Sequence, residues 1–269
     1  MPELPEVETV VRQLRPRLCG GKVLSVSVID RKLKLGLTSA VIGSSIVSVE
    51  RVGKHIVLVL EKRKRAPRRY LSFHLRMTGN LLWEAEENPK ALRATVLCNT
   101  GRLDFVDTRR FGTMRMHETL SQIKPQALDP MSKRFTLAEL SGLLRSTRQP
   151  IKPWLIRQDK LTGIGNIYAS EILFVARINP FTETHRLTER EQVCLYRATK
   201  QVLEAAIRLC GTTFSDFQGA DGTDGSFQRF LKVYEREGKP CRRCKTTVKR
   251  VVQQGRSTYY CPSCQRTGR

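Results

Sequence analysis

The first residues of the chain are of types that can do covalent chemistry on a sugar. Pro2 follows Met1, and so small a second residue predicts removal of the methionine, which would expose a secondary amine. An unprotonated α-amine is a nucleophile near neutral pH, because its ordinary pKa is about 7.7–8.0. Its attack on a sugar C1′ would give a cationic iminium, an electron sink for eliminating phosphates, and Glu3 beside it could move protons. Taken alone, Pro-Glu is also an ordinary way to begin a helix.

Four of the eight cysteines lie close to the C-terminus in two Cys-x-x-Cys pairs. They are Cys241, Cys244, Cys261 and Cys264, with sixteen residues between the pairs. This spacing is typical of a tetrahedral zinc site with four thiolate ligands, and the intervening segment is long enough for a hairpin. Two redox pairs or disulfides are the alternative, which a basic intracellular chain disfavours. The segment has few apolar residues, so we expect the metal to supply its folding free energy.

The charge of the chain indicates a polyanionic partner. Its 269 residues include 48 Lys and Arg against 25 Asp and Glu, a formal net charge of +23. Hydrophobic residues make up 40%, which excludes a wholly disordered basic protein, and no apolar run is long enough to span a bilayer. The N-terminus lacks an apolar signal region, so we expect a cytoplasmic protein. Nucleic acid is the favoured partner, and an anionic membrane surface is the weaker alternative.

Apolar periodicity separates an N-terminal helix, a strand-rich region and a helical region. Helical spacing predicts a helix from residue 3 to about 19, and period-two alternation predicts strands between residues 22 and 117. Short strands with turns between them favour a β-sandwich. The predicted strands are 24–28, 46–52, 56–61, 70–75, 95–98 and 103–106, and the predicted helices are 136–145, one beginning at 153–157, 166–175 and 188–209, followed by a loop at 211–235.

Six motifs, in order along the chain, resemble those of the formamidopyrimidine-DNA glycosylase family. These are bifunctional DNA repair enzymes that excise oxidised purines. The motifs are Met1-Pro2-Glu3-Leu4-Pro5-Glu6-Val7-Glu8-Thr9-Val10, Arg51-Val52-Gly53-Lys54-His55, His74-Leu75-Arg76-Met77-Thr78-Gly79, Asp107-Thr108-Arg109-Arg110-Phe111-Gly112, the segment formed by Ile151–Leu155 and Gly163–Glu171, and Arg256–Cys264. Because the resemblance covers essentially the whole chain, it is highly specific.

The patterns and the resemblance together imply a multidomain α+β fold. We expect an N-terminal catalytic β-sandwich flanked by helices at residues 1–120. A helix-two-turns-helix DNA-binding domain is expected at 121–235, and a zinc-finger β-hairpin at 236–269. One structural Zn²⁺ would be held there by the four cysteines, leaving no open position for a catalytic water.

The resemblance also implies catalytic roles. Pro2 would be the Schiff-base nucleophile, and Glu3 would be the proton donor for sugar opening and base departure. Glu6 would support the same site, although it is equally well explained as an acidic residue at the positive end of a helix dipole. Lys54 would donate a proton in β-elimination, although composition alone favours a solvent-facing lysine. Arg256 would bind phosphate and assist δ-elimination.

A further set of residues would stabilise DNA from which a base has been flipped out. Met77, Arg109 and Phe111 match the residues with which the family fills the gap, since Met and Phe can wedge between bases and Arg can hydrogen-bond the orphaned partner. Without the resemblance, the two apolar side chains would more often belong to a core. Arg110 is expected instead to hold the loop through a carboxylate, with Asp107 the candidate.

Phosphate contacts are expected in the second half of the chain. Asn166 follows a Gly-x-Gly before a predicted helix, so the backbone amides there can face a phosphate. Arg148 and Lys152 match further phosphate contacts. The run 62–69, with six basic residues of eight, is most simply a solvated hairpin loop.

The chain departs from the family pattern at two places. Many members have a histidine ahead of the strand that precedes the Arg-Arg-Phe loop, but residues 88–95 contain none, and Arg93 is the candidate to replace its DNA contact. Thr223 stands where some relatives have a lysine near the flipped base. Both departures leave the lesion preference open.

The function implied is that of a bifunctional DNA glycosylase and AP lyase. It would excise 8-oxoguanine and formamidopyrimidines from duplex DNA, as a monomer in the cytoplasm, associated with the nucleoid of a bacterium. One alternative is an endonuclease VIII-like enzyme for oxidised pyrimidines. The other is a non-catalytic zinc-ribbon protein that binds DNA.

Overall fold

The computed structural model describes residues 1–33, 40–85, 89–123, 127–213 and 217–266. The chain forms two compact units. One comprises Met1–Lys124 and Ile207–Gln228, and the other comprises Pro125–Ala206 and Arg229–Arg269. The first unit therefore includes a segment from much later in the chain. Its residues are not contiguous in sequence, so no single boundary along the chain separates the two units. The functional division at residues 1–120, 121–235 and 236–269 stays a prediction.

The first unit is built on two four-stranded antiparallel sheets. Their strand orders are β1-β6-β7-β5 and β2-β3-β4-β8. The strands are β1 (Val23–Val28), β2 (Ser45–Val52), β3 (His55–Glu61), β4 (Arg69–His74), β5 (Gly79–Trp83), β6 (Leu92–Cys98), β7 (Gly101–Asp107) and β8 (Thr113–His117). The α+β prediction is confirmed. Strands β5 and β8 were not predicted, because β5 opens with a glycine and β8 alternates methionines with polar residues, both weak strand signals.

Helix α1 (Leu4–Leu18) packs against the sheets through one apolar face. Its fully buried residues recur at helical spacing and join the core that the two sheets share: Val7, Val10, Val11, Leu14 and Leu18. The Arg15 guanidinium donates to the Val49 carbonyl of β2 at 3.1 Å, which fixes the helix along that strand. Helix α1 therefore fixes the place on the first unit of its N-cap residue, Glu3, and of Pro2 just before it.

Among its described residues, the second unit contains the C-terminal hairpin and four α-helices, the last of which ends two residues into the segment that belongs to the first unit. The helices are α2 (Leu137–Arg145), α3 (Ile151–Leu155), α4 (Asn166–Ala176) and α5 (Glu189–Arg208), and the hairpin strands are β9 (Lys249–Gln253) and β10 (Arg256–Tyr260). The predicted start at 153–157 is wrong, because α3 begins at Ile151. Pro153 fits inside this first turn, where its missing N–H has no helical partner to lose. Residues 214–216 of the predicted loop 211–235 lie outside the described residues.

A buried carboxylate joins helix α4 to the segment that leads into the hairpin. Glu171 accepts backbone N–H bonds from Lys232, Val233 and Tyr234 at 2.8–2.9 Å. Burial raises the pKa of Glu171, and the three amide donors act in the opposite direction. Because one side chain holds three successive amides, the approach to the hairpin is fixed to α4.

Within the described part of the chain, no helix has the length and apolar character needed to cross a membrane.

Candidate functional site

The N-terminal residues with catalytic potential are buried at the start of α1. Pro2 is buried, and Glu3 and Glu6 are 3% and 1% exposed. The Glu3 amide donates to Glu6 Oε2 at 2.9 Å, while Glu6 Oε1 accepts from the Thr212 amide and hydroxyl at 2.7 and 3.0 Å. A Cβ on Gly211, whose φ is +77°, would lie 2.6 Å from Glu6 Oε1. Glu6 thus ties the first turn of α1 to a loop more than two hundred residues away.

Lys54 lies in the two-residue turn between β2 and β3, not on an open strand. Its neighbour Gly53 has a φ of 60°, which glycine adopts without strain, and Lys54 is only 7% exposed. Arg51 links this turn to α1, because its Nε donates to Glu8 Oε2 at 2.9 Å and its Nη1 to the Gly53 carbonyl at 3.3 Å. The expectation of a solvent-facing lysine is wrong, because Lys54 is buried in a turn that Arg51 links to α1.

Two histidine rings pack next to this turn. His55 and His74 are cross-strand partners of β3 and β4, with ring centroids 4.7 Å apart. His74 Nδ1 accepts the Arg76 backbone N–H at 3.1 Å, which requires an unprotonated Nδ1. Burial, together with the charges of His55, Arg76 and Lys54, lowers the pKa of His74 to about 3. His74 is therefore a neutral hydrogen-bond acceptor at working pH.

The low pKa of His74 predicts a loss of stability in acid. The unfolded chain binds a proton on this ring near pH 6.5, and the folded chain binds it only near pH 3. The contribution of His74 to the free energy of unfolding is therefore fully present above pH 6.5 and is lost as the pH falls from 6.5 towards 3. One proton corresponds to about 1.4 kcal/mol per pH unit. The amide oxygen of an asparagine can accept the same N–H. We therefore expect His74→Asn to make the free energy of unfolding, measured with urea, less dependent on pH. His185→Asn, at an exposed residue, is the control. Equal slopes of unfolding free energy against pH in the two variants would contradict the assignment to His74.

Three side chains with a predicted role at the gap in DNA form one exposed cluster. Met77 and Phe111 are 44% and 53% exposed, so neither belongs to the core. The Arg109 guanidinium lies 4.9 Å from the Phe111 ring centroid, and its Nη1 is 3.4 Å from Met77 Sδ. We call these three residues the Met–Arg–Phe cluster. Exposed apolar side chains held around an arginine are suited to a partner with flat faces and hydrogen-bonding edges.

Asp107 anchors the loop that carries most of this cluster. Its Oδ1 accepts the Thr78 hydroxyl and the Arg109 N–H, the latter at 3.2 Å, and its Oδ2 accepts the Gly112 N–H at 2.6 Å. A Cβ on Gly112 would lie 2.7 Å from the Phe105 ring, so the tight closure of the loop requires glycine. One carboxylate therefore joins the Met77 turn to the Arg109 loop.

Two predictions about the surroundings of this loop are wrong. Arg110 pairs with Asp30, not with Asp107, at 2.5 Å between Nη2 and Oδ1. Arg93 is 2% exposed and lies inside the first unit, so it does not replace the DNA contact of the missing histidine. Its three polar partners are in the protein.

The three residues expected to contact phosphate all lie in the second unit, but one of them is buried. Arg148 is exposed, and Asn166 is the first residue of α4, after Gly165. Lys152 is instead completely buried, and its Nζ donates to Asn166 Oδ1 at 2.5 Å and to the Ser257 carbonyl at 3.0 Å. This geometry favours Lys152 as a support of Asn166 and of strand β10 over a direct phosphate contact.

The four C-terminal cysteines converge on one point. All their Sγ atoms lie within 4.8 Å of one another, with Cys241–Cys264 at 3.9 Å and Cys244–Cys261 at 3.4 Å. These separations are too long for disulfides and match the ~3.8 Å between ligands of a tetrahedral zinc with Zn–S bonds of about 2.3 Å. The donor set therefore fits zinc, and it fills all four positions with protein sulfur. Arg256 is exposed at the first position of β10.

The loop that contains Thr223, within the first unit, is fastened to helix α1 by residues that sequence reasoning missed. Gln13 of α1 accepts the Ala220 N–H at 2.7 Å and donates to Asp221 Oδ1 at 3.0 Å. The Thr223 hydroxyl donates to the same Asp221 oxygen at 2.6 Å. No local signal marks Gln13, because its partners are more than two hundred residues away in the chain.

Family models match the chain in three consecutive segments. Residues 1–114 match the formamidopyrimidine-DNA glycosylase N-terminal domain, residues 126–218 the H2TH domain of the same enzyme, and residues 238–267 the zinc finger found in FPG and IleRS. Curated relatives named formamidopyrimidine-DNA glycosylase are similar end to end. The protein from Pelotomaculum thermopropionicum is 39% identical, with 99% of each chain covered, and that from Desulfitobacterium hafniense is 37% identical, covering 98% of this chain and all of the relative.

Solved structures give the same result. The Fpg protein of Thermus thermophilus superposes with a TM-score of 0.87 at 36% identity, with 98% of each chain covered. A Lactococcus lactis Fpg variant in complex with DNA containing Fapy-dG superposes with a TM-score of 0.88 at 31% identity, covering 99% of this chain and all of the other. The family models, the relatives and the structures thus agree over all three segments.

Proposed function

The chain belongs to the formamidopyrimidine-DNA glycosylase family, and on that premise we propose that it excises oxidised purines through a Schiff base at Pro2. It is a DNA glycosylase of base excision repair that acts on damaged DNA, and AP lyase activity is typical of its family. The substrates we propose are 8-oxoguanine and ring-opened formamidopyrimidines in duplex DNA. The observation that carries this proposal is the buried start of α1. There Glu6 accepts hydrogen bonds from the Glu3 and Thr212 amides and so fixes the position of Glu3 and of Pro2 before it.

The chemistry follows from the residue types. The Pro2 nitrogen forms a bond to C1′ as the glycosidic bond breaks, and the bond electrons leave with the base, which takes a proton. Glu3 transfers protons for base departure and for opening of the sugar ring. Loss of the C2′ proton sends the electrons of that C–H bond into the resulting iminium, which becomes an enamine. The enamine then expels the 3′ phosphate, which leaves with the electrons of the C3′–O bond. We assign proton donation in this β-elimination to Lys54, and phosphate binding in the δ-elimination to Arg256.

Removal of the base also requires that it leave the helical stack. We propose that the Met–Arg–Phe cluster fills the gap left in the helical stack. The exposure of these side chains and their mutual contacts support this role. Arg148 and Asn166 are proposed to bind backbone phosphates. The zinc finger holds one structural Zn²⁺ through Cys241, Cys244, Cys261 and Cys264 and supports the hairpin rather than the chemistry.

Oxidised pyrimidines are the second candidate class of substrate. The structure of the wild-type Lactococcus lactis relative in complex with DNA containing an oxidised pyrimidine favours this possibility. Two features of the chain oppose it as the main activity. The start Pro2-Glu3-Leu4-Pro5-Glu6 and the Arg109-Arg110-Phe111 loop follow the purine-excising branch that the sequence resembles.

Trapping with borohydride separates these possibilities. Borohydride reduces the Schiff base to a stable amine, so each turnover of purified protein on a labelled duplex leaves a covalent adduct. We expect adducts to form faster on 8-oxoguanine and formamidopyrimidine duplexes than on a thymine glycol duplex. We also expect an adduct on an abasic duplex. Faster trapping on thymine glycol would transfer the assignment to the pyrimidine class, and no adduct on any duplex would overturn the catalytic role of Pro2.

We also propose that the protein works as a monomer in the bacterial cytoplasm, on the nucleoid. The relatives named above are bacterial proteins, and a four-thiolate zinc site persists in a reducing compartment. A fluorescent fusion protein that is excluded from the nucleoid would contradict the proposed location. A mass by sedimentation of twice the 30.7 kDa of the chain would contradict the proposed monomer.

A further inference from the structure

A buried group of charges lies directly beneath the Met–Arg–Phe cluster and has no part in the proposed chemistry. Its centre is Arg93, whose Nε donates to Asp30 Oδ2 at 2.8 Å. Arg93 Nη1 donates to the Gly112 carbonyl at 2.6 Å and to Asp107 Oδ2 at 3.4 Å. The same guanidinium thus holds both the last residue of the loop and the carboxylate that anchors the loop from within.

Asp30 extends this group to the surface. Its carboxylate accepts Arg110 Nε at 2.9 Å and Nη2 at 2.5 Å, a bidentate pair, in addition to Arg93. Arg110 has a left-handed backbone, with a φ of 58°, which is costly for a non-glycine residue and persists only where its surroundings hold it. This strained residue stands between Arg109 and Phe111, so its conformation sets the directions in which both side chains leave the backbone.

The charges of the group balance. Two carboxylates, Asp30 and Asp107, face two guanidiniums, Arg93 and Arg110. The Arg110 guanidinium, followed by a backbone amide and Arg93, holds the pKa of Asp30 well below its usual range, so the carboxylate stays ionised at working pH. Removal of the Asp30 charge would leave Arg93 and Arg110 with a single carboxylate between them, and the strained loop would lose the bidentate ion pair that holds Arg110.

We propose that Asp30 and Arg93 are positioning residues for the Met–Arg–Phe cluster, and that they set how well the enzyme fills the gap left by a flipped base and distinguishes the base opposite. The proposal rests on the proposed function of that cluster. Asp30 and Arg93 are 7% and 2% exposed, so they act through the loop and not by contact with DNA. Asp30 supplies the counter-charge of Arg93 inside the first unit.

Asp30→Asn tests this inference, because the amide keeps the size of the side chain but loses its charge. A duplex requires gap filling, whereas a single-stranded abasic oligonucleotide requires only Schiff-base chemistry. We expect kcat/KM on an 8-oxoguanine duplex to fall by about 10- to 100-fold, as expected for misplaced contacts at a reacting complex, and the preference between opposite cytosine and adenine to shrink. β-Elimination of the single-stranded abasic substrate should stay within about twofold, since the fold and Pro2 are unaffected.

Asp104→Asn is the matched control. Asp104 is also a buried carboxylate in the first unit, but it accepts from Arg102 Nε at 2.8 Å and from the Thr95 hydroxyl at 2.7 Å, both on strands and not on the loop. It should leave the opposite-base preference unchanged. Trapping on the single-stranded abasic substrate counts folded enzyme in every preparation, so a variant that folds poorly is still measured per active molecule.

Arg110→Gln removes the surface arm alone, at a side chain that is 51% exposed. It should reduce duplex activity in the same direction as Asp30→Asn and by a smaller factor. Equal duplex activity and opposite-base preference in Asp30→Asn and Asp104→Asn would overturn the inference. Absence of activity in the wild type on every lesion duplex would instead remove the proposed function, so the two failures are distinguishable.

Discussion

Pro2→Gly is expected to reduce lesion excision by ~10³-fold or more, within the range seen when an enzyme loses its covalent nucleophile. The variant keeps an α-amine but not the secondary amine, whose Schiff base is cationic without any proton. It also loses the ring that fixes the backbone ahead of α1, where Glu3 and Glu6 are held by hydrogen bonds. Single-turnover excision of 8-oxoguanine, with borohydride trapping in parallel, measures the loss. Mass spectrometry of both proteins first establishes that Met1 has been removed.

Pro5→Gly is the matched control for this experiment. It makes the same substitution in the first turn of α1, at a buried proline that does not carry the terminal amine. The control should lose stability but retain trapping per folded molecule. If Pro2→Gly traps as efficiently as the control, and peptide mapping places the adduct on Lys54, then the nucleophile has been wrongly assigned.

Removal of zinc is expected to unfold the C-terminal hairpin and weaken binding to a lesion duplex by ~10²-fold, because the phosphate contact proposed for Arg256 would be lost with the fold of the hairpin. The hairpin core is small and includes two of the ligands themselves, Cys241 and Cys261, packed with Phe174, Val233 and Val248. Four thiolates whose sulfur atoms lie within 4.8 Å of one another repel, so a bound dication is needed to hold all four in the ionised form. Apparent binding free energies of such sites reach about 10–16 kcal/mol.

Cys244→Ser measures this effect against Cys194→Ser. Cys194 lies in helix α5 and outside the sulfur cluster, so its substitution should leave one zinc per chain and full DNA affinity. We expect Cys244→Ser to lose the metal, the near-ultraviolet signal of Tyr259 and Tyr260, and affinity measured by fluorescence anisotropy. Unchanged affinity in a metal-free Cys244→Ser protein would contradict a role of the hairpin in binding DNA.

The sequence predicted most of the fold because its signals are local. Helix α1 was bounded to within one residue by its apolar spacing, its first-turn proline and the glycines that follow it. The two strands that were missed, β5 and β8, begin or alternate with residues of weak strand preference and are strands because each pairs with a neighbour, β7 and β4 respectively. The predicted start of helix α3 was two residues too late, because proline favours the first turn of a helix and Pro153 lies two residues inside this one.

The candidate site divides in the same way. The spacing of the four cysteines carries its chemistry within a few residues, so a four-thiolate zinc site could be predicted from the chain alone. The types of Pro2 and Glu3 permit an amine nucleophile, but only the resemblance to the family made that role the expected one, and it stays a prediction. Contacts between distant residues could not. Arg110 is 80 residues from Asp30 and Glu6 is 206 residues from Thr212, and no periodicity joins residues so far apart.

Burial was likewise decided by packing. Lys54, Lys152 and Arg93 are cations that composition places in solvent, and the folded chain buries all three, whereas Met77 and Phe111 are apolar and remain exposed. Short-range patterns report which chemistry a segment can perform, because reactivity belongs to the residue type. Which carboxylate meets which guanidinium, and which apolar side chain is left for a partner, depends on how the sheets and helices pack, and that is a property of the whole tertiary structure.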